Sequence, residues 1–164
     1  MTPLWDTVDT PFGPFTAVLA DDGAVLASGW TAELDDLLPL VHPTLRPDPR
    51  RGDLGPVAAA ITRYHAGELS VIDDVPVRQR SGAFLEQAWV VLRTVPAGSP
   101  VTYTEYAAKS GRPAAVRAAA SACARNAAAL FVPCHRVLRS DGTLGGFRWG
   151  TALKRRLLDH EATH

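Results

Sequence analysis

A cysteine, a histidine and an arginine follow one another directly in the run Cys134-His135-Arg136. The thiolate is the reactive form of cysteine, and a neighbouring imidazolium or guanidinium lowers the pKa of the thiol. A histidine beside a thiol can also take its proton, as in nucleophilic catalysis. The run therefore indicates an activated thiol, although an isolated cysteine is more often a small buried apolar residue.

The residues before this run predict how the thiol is held. Residues 127–132 are apolar and a polar turn follows the run, a pattern typical of a buried strand. Pro133 cannot donate to a sheet, so strand pairing should stop where Cys134 begins. Adjacent side chains of a strand point to opposite faces, so a direct bond between Cys134 and His135 is awkward without a turn or a water.

Charge is distributed unevenly along a chain whose net charge is zero. Residues 1–75 carry 12 acidic and 4 basic side chains, a net charge of −8, whereas residues 76–164 carry 5 acidic and 13 basic ones, a net charge of +8. This asymmetry favours a polyanion as the partner of the second half. An acidic lobe that docks on a basic one, or chance, would give the same distribution.

Composition limits the class of protein. The chain has 164 residues, of which 46% are hydrophobic, enough for one sizeable domain or two small ones. It shows no membrane span and no signal peptide. The two cysteines predict neither a disulfide framework nor a zinc site, and free thiols favour a cytoplasmic location. His42 and His65 lack partners at ligand spacing and are expected at the surface.

The first half of the chain predicts a small mixed domain. Turn signals at residues 11–14 and 21–23 separate segments that alternate like the strands of a hairpin. Helical spacing of apolar residues predicts a helix over 54–66, and a further strand over 71–77 would close the domain.

The second half predicts a helix-turn-helix. After an amphipathic helix over 84–95, Thr102 and Glu105 fit a capping box at the start of a short helix. Gly111 suits the end of that helix, and an alanine-rich helix is expected over 114–124. Two short helices joined by a tight turn are typical of helix-turn-helix proteins, with a plain pair of helices as the alternative.

The C-terminal segment predicts a loop followed by a helix. Glycines in 145–150 permit close approach of the backbone to a ligand. Thr151 can cap a helix from 152 to about 161, which delivers Glu161 at its end. Its inward face is expected to contain Leu153, Leu157 and Leu158.

These motifs together resemble the O6-alkylguanine-DNA alkyltransferases, the methylated-DNA–protein-cysteine methyltransferases. The resemblance is carried by Thr102-Tyr103, Arg117, Arg125-Asn126, the run Pro133 to Val137, the loop Gly146-Phe147-Arg148-Trp149-Gly150, and Glu161. It is close over residues 78–164 and looser upstream.

The resemblance implies an α+β fold in two domains. Residues 1–77 would form a small N-terminal α/β domain, ribonuclease H-like, with a short antiparallel sheet. Residues 78–164 would form a mainly helical DNA-binding and alkyl-acceptor domain whose helix-turn-helix is winged-helix-like.

The resemblance also implies roles for individual residues. Cys134 would accept the alkyl group, His135 would act as base through a water, and Glu161 would orient the imidazole. Asn126 would be a hinge between the recognition helix and the site, and Tyr103 would donate a proton to the guanine ring. The DNA-binding set would be Tyr103, Arg117, Ala118 and Arg125. The guanine pocket would be lined by Val137, Phe147 and Arg148.

The implied activity is direct reversal of DNA damage. A monomer would bind double-stranded DNA, flip out O6-alkylguanine or O4-methylthymine, and transfer the alkyl group irreversibly to Cys134, once per molecule and without cofactor or metal. Phe147 departs from the family pattern, since a tyrosine is common there. The zinc ligands that some members carry in the first domain are absent, because no cysteine precedes Cys123.

Three other functions fit parts of the sequence. A non-catalytic sensor of alkylation damage on the same scaffold would lack the acceptor cysteine, which is present here. A cysteine hydrolase leaves the helix-turn-helix and the charge division unexplained. A transcription regulator leaves the cysteine, histidine and glutamate unexplained.

Overall fold

The computed structural model describes residues 2–164, which form a mixed α+β fold. The chain divides into two compact units: one contains the residues up to Arg80 together with Ala127–Phe131, and the other contains Ser81–Asn126 and Val132–His164. The segment Ala127–Phe131, which the sequence placed in the second domain, therefore packs with the first unit.

A four-stranded sheet forms the centre of the first unit. Its strands are β1 (Leu4–Thr10), β2 (Gly13–Leu19), β3 (Val25–Gly29) and β4 (Arg50–Arg51). Their order is β3-β2-β1-β4, with β4 parallel to β1 and the other pairs antiparallel. The hairpin predicted from the turn at 11–14 is confirmed, with Trp5 opposite Val18.

One helix, α1 (Pro56–His65), belongs to the same unit and begins with proline as expected. The strand predicted over 71–77 is wrong, because the chain forms a 3-10 helix at Leu69–Ile72 and only Val77 makes an isolated bridge, to Val25. Pro76 lacks the N–H that a regular strand would need there.

The expectation that His65 lies at the surface is also wrong. His65 is buried, its Nε2 accepts a hydrogen bond of 3.2 Å from Trp30 Nε1, and its Nδ1 lies 2.7 Å from the carbonyl oxygen of Ile61. The imidazole is thus a satisfied part of the first core. Its tryptophan partner lies 35 residues away, a separation at which sequence spacing gives no signal.

Helices dominate the second unit. They are α2 (Ala83–Leu92), α3 (Tyr103–Lys109), α4 (Val116–Ala124) and α5 (Thr151–Ala162), with a short parallel pair of strands, β5 (Val101–Thr102) and β6 (Val137–Leu138). Trp89 of α2 donates a buried 2.8 Å hydrogen bond to the carbonyl oxygen of Ala122, which joins α2 to α4. Within residues 2–164, no helix is both long and apolar enough to cross a membrane.

The predicted capping box of α3 is confirmed. The N–H of Glu105 donates to Thr102 Oγ1 at 3.1 Å, and the N–H of Thr102 donates to Glu105 Oε1 at 2.9 Å. Gly111, with φ of 94°, follows the helix. The next helix starts at Val116, two residues later than predicted, because Pro113 lies in the turn. The ribonuclease H-like and winged-helix details stay predictions.

Candidate active site

The segment that leads to the thiol is buried, as predicted, but it is not a strand. Residues 127–132 form bends and turns with a single isolated bridge, at Ala128, and Leu130 has a positive φ of 77°, which no regular strand contains. Cys134 then begins a 3-10 helix, Cys134–Arg136. Apolar composition predicts burial but cannot distinguish a buried strand from a buried turn.

The thiol of Cys134 is nearly enclosed, with 8% of the residue exposed. Burial raises its pKa, while a hydrogen bond from the Asn126 side chain and the charges of Lys154 and Arg148 act in the opposite direction. The amide of Asn126 also donates a 2.7 Å hydrogen bond to the carbonyl oxygen of Val132. The sulfur is therefore held by its surroundings as a thiol whose ionisation needs a base.

The predicted pairing of His135 with Glu161 is present in the structure. His135 Nε2 lies 2.8 Å from Glu161 Oε2, and both side chains are fully buried. Burial lowers the pKa of His135, although the charge of Glu161 opposes that effect. Among the described residues, no hydrogen-bond partner faces His135 Nδ1. The imidazole is thus fixed through one nitrogen, and the other can accept a proton.

Arg136 contacts the same carboxylate. Its Nε donates to Glu161 Oε1 at 2.9 Å, and its Nη2 donates to Oε2 at 2.8 Å. Its Nη1 donates to the carbonyl oxygen of Val95 at 2.8 Å. Burial alone would raise the pKa of Glu161, but its contacts with His135 and Arg136 outweigh burial and hold that pKa far below the ordinary range. Glu161 is therefore a carboxylate in the folded protein.

A fully buried lysine is a further feature of the site. Lys154 Nζ donates to the carbonyl oxygens of Val137 at 2.8 Å and Gly146 at 3.4 Å. Burial lowers its pKa. The sequence predicted Leu153 and Leu158 on the inward face of α5, but both are only partly buried, and Lys154 takes the inward place. Thr151 is the first residue of α5, and no side chain caps the helix.

Tyr103 is half-buried at the start of α3. Burial, together with the neighbouring Cys123 and Cys134, raises the pKa of Tyr103 to about 12, so its hydroxyl stays protonated at neutral pH. Gly145 packs against this ring: a Cβ at that position would lie 3.3 Å from Tyr103 Oη and Cε2. The absence of a side chain at Gly145, whose φ is 73°, leaves room for the phenol.

Of the residues predicted to bind DNA, Tyr103 begins α3, and the other three lie on α4 or directly after it. Arg117 and Arg125 are exposed, Ala118 is partly buried, and Ala119 and Ala122 face the interior. The small residues of α4 leave its outer surface open to close approach by a large partner. The two arginines place a positive charge at each end of that surface.

The predicted pocket residues follow the thiol along the chain. Val137 is buried, and its carbonyl oxygen is occupied by Lys154. Phe147 is partly buried, and Arg148 is exposed and donates a 2.6 Å hydrogen bond to the carbonyl oxygen of Ala124, the last residue of α4. This bond ties the glycine-rich loop to the end of that helix.

Sequence reasoning missed two residues of the site. Arg136 was noted only as a charge near the thiol, and Lys154 was not singled out, because a lysine within a helix is usually solvated. Over residues 2–164, no group of histidine, cysteine or carboxylate side chains is arranged to hold a metal ion.

Comparison with known proteins identifies the family of the chain. Residues 83–163 match the family model described as the DNA-binding domain of 6-O-methylguanine DNA methyltransferase. A methylated-DNA–protein-cysteine methyltransferase of Mycobacterium tuberculosis is 37% identical over 155 residues, 94% of this chain and 90% of that protein. The chain belongs to the methylated-DNA–protein-cysteine methyltransferase family.

Two further relatives show how far the similarity extends. The bifunctional transcriptional activator and DNA repair enzyme Ada of Escherichia coli is 52% identical over 88 residues, 54% of this chain. The matched region is only 25% of the length of Ada. The crystal structure of Mycobacterium tuberculosis OGT in complex with DNA superimposes with a TM-score of 0.79 and 31% identity, and the match covers 98% of this chain and 93% of that one.

Proposed function

We propose that this protein repairs DNA by direct reversal, transferring the alkyl group of O6-alkylguanine, and of O4-methylthymine, to Cys134. The observation that carries the proposal is the buried thiol of Cys134 beside His135, whose imidazole is fixed by Glu161 at 2.8 Å. Family membership supports the same reaction.

The transfer is a displacement at the alkyl carbon. The Cys134 sulfur forms a bond to that carbon while the bond from carbon to O6 breaks, and the electron pair stays on the purine. The thiol proton passes through a water to His135 Nδ1, and the imidazolium is stabilised by Glu161. The guanine gains its proton from Tyr103, which recovers one from solvent.

Two side chains and the pocket for the guanine assist this step. Asn126 anchors the backbone before the thiol and donates to the sulfur as negative charge develops there. Tyr103 stays protonated at neutral pH because its pKa is about 12, so it can donate to the base. The carbonyl of Val137 and the loop with Phe147 and Arg148 form the guanine pocket.

DNA binds through residues 78–164, which carry most of the positive charge of the chain. The pair α3 and α4 docks on the duplex, with Ala118 permitting close approach and Arg125 contacting phosphate. Arg117 fills the gap left by the flipped nucleotide, which offsets a few kcal/mol of unstacking. A solved relative in complex with DNA supports this partner.

A thioether is stable to the acid and base side chains of the site, so each molecule acts once. The protein is proposed to act as a monomer and to need no cofactor. A reducing cytoplasm is the compartment that keeps Cys123 and Cys134 as free thiols.

Titration with a duplex that contains one O6-methylguanine tests the proposal. Repaired duplex should rise to the molar amount of protein and then stop. Product beyond that amount would reveal a turning-over enzyme. Tight binding without any repaired product would instead indicate a damage-binding protein.

A further inference from the structure

A buried arginine links two other parts of the second unit to the general base. Arg136 is 2% exposed, and its guanidinium makes three hydrogen bonds of 2.8–2.9 Å within the protein. Two go to the oxygens of Glu161 near the end of α5, and one goes to the carbonyl of Val95 just after α2. The general base His135 shares that carboxylate.

The 3-10 helix makes this sharing possible. His135 and Arg136 are neighbours in the chain, and in a strand they would point to opposite faces. In Cys134–Arg136 both side chains reach the same carboxylate, His135 through Nε2 and Arg136 through Nε and Nη2. This 3-10 helix, which begins where strand pairing was expected to stop, therefore sets the geometry of the site.

Two-point contact fixes the carboxylate in a way that His135 alone cannot. A single hydrogen bond from an imidazole leaves a carboxylate free to rotate about its side-chain torsions. The planar guanidinium matches both oxygens at once and removes that freedom. Arg136 is itself oriented by Val95, so the chain of contacts runs from a backbone carbonyl to the imidazole.

The carboxylate in turn selects the tautomer of the histidine. A carboxylate only accepts hydrogen bonds, so Nε2 must carry the hydrogen that points at Glu161. The lone pair then lies on Nδ1, the buried nitrogen without a partner among the described residues. That nitrogen must be unprotonated if His135 is to take the proton of Cys134.

We infer that Arg136 is a positioning residue for the general base: it clamps Glu161 so that His135 is held as the Nε2–H tautomer with Nδ1 directed toward the proton of the thiol. The inference rests on the proposed alkyl transfer and adds a residue to it. The hydrogen bonds of Arg136 go to Glu161 and to the carbonyl oxygen of Val95, so its effect on the thiol is exerted through Glu161 and His135.

Nitrogen NMR of histidine-labelled full-length protein tests the tautomer without any substitution at the site. The signals of His135 are assigned by their loss in His135→Gln. The wild type should show a single Nε2–H tautomer at neutral pH. A mixture of tautomers, or hydrogen on Nδ1 alone, would overturn the inference whatever the repair activity.

The variant Arg136→Lys keeps the charge and removes the two-point contact. Single-turnover methyl transfer should slow by roughly 10- to 100-fold, the loss typical when the outer hydrogen-bond partner of a metal-binding histidine is removed. Duplex binding should be unchanged, and the His135 spectrum should become a mixture. Arg155→Lys, on the exposed face of α5, is the matched control. Its rate of methyl transfer, its duplex binding and its His135 spectrum should all equal those of the wild type.

The two proposals fail separately. Absence of methyl transfer in the wild type would refute the proposed function and leave the tautomer result standing. A wild-type rate and an unchanged His135 spectrum in Arg136→Lys would refute the inference alone. If Arg136→Lys does not fold, Arg136→Gln carries the same two measurements, and a wild-type rate with an unchanged His135 spectrum in that variant would refute the inference.

Discussion

The side-chain amide of Asn126 donates a 2.7 Å hydrogen bond to the carbonyl oxygen of Val132, six residues further along the chain. The bond closes the buried turn that immediately precedes Pro133 and Cys134. The same amide also favours the ionised sulfur of Cys134. One side chain thus fixes the approach to the thiol and helps its chemistry.

Replacing Asn126 with alanine should reduce both stability and rate. A buried carbonyl that loses its donor costs about 1–3 kcal/mol, and the thiolate loses a hydrogen bond. Melting curves and single-turnover rates, taken where both proteins are folded, separate the two effects. A lower melting temperature with a wild-type rate would make Asn126 purely structural.

Gly145→Ala should slow methyl transfer by disturbing Tyr103. The new Cβ would lie 3.3 Å from the phenol, so the ring must move, and a small misplacement slows transfer by roughly tenfold or more. Gly142→Ala is the matched control, because Gly142 also has a positive φ and its Cβ would meet nothing within 4 Å. Equal slowing in both variants would show that backbone strain, and not Tyr103, is the cause, and a wild-type rate for Gly145→Ala would refute the role of this contact.

Arg117→Ala should weaken duplex binding and slow repair of duplex DNA, but barely affect reaction with free O6-benzylguanine. The side chain is exposed on α4, so its loss should leave the thiol unchanged. Binding measured against salt should lose about one unit of slope if a phosphate contact is removed. Equal slowing with both substrates would assign Arg117 a structural role. Arg155→Ala serves as a control for a lost surface charge.

Glu161→Gln should slow transfer most at neutral pH. Without the carboxylate, His135 accepts the thiol proton less readily, and burial already raises the pKa of Cys134. Raising the pH should restore part of the rate, because thiolate increases about tenfold per pH unit below the pKa. Single-turnover rates against pH measure this effect. A profile identical to wild type would remove Glu161 from the mechanism.

The same carboxylate predicts a loss of stability in acid. The pKa of Glu161 is lower in the folded protein than its ordinary value of 4.5, so its contribution is complete above that pH and declines as pH falls below it. Glu161→Gln should lack this part of the acid transition, and it should melt lower at neutral pH because Arg136 loses its counter-charge. Glu161→Gln with Arg136→Met removes both charges and should recover part of that loss.

Local patterns in the sequence predicted the elements that depend on local chemistry. The hairpin of β1 and β2 follows from turn residues, and the start of α3 follows from the reciprocal bonds of Thr102 and Glu105. The acid partner of His135 was found because Glu161 matches a family position at the end of a helix. Each of these signals lies within a few residues or within a motif.

Features that depend on tertiary contacts were missed or wrong. The turn at Leu130 was predicted to be a strand, because apolar composition indicates that a segment is buried but does not indicate its backbone conformation. His65 was predicted at the surface and Lys154 was not singled out, because their partners, an indole and two backbone carbonyls, are not adjacent to them in the chain. Arg136 was placed beside the thiol, but its bonds to Glu161 follow only from the packing of α5.

The mass of the Cys134 peptide after reaction with a duplex containing O6-methylguanine tests the central claim most directly. The proposed transfer predicts one methyl group on the peptide that contains Cys134 and none on the peptide that contains Cys123, with Cys134→Ser unmodified and inactive. Methyl on Cys123, or repaired DNA with both peptides unmodified, would contradict the account.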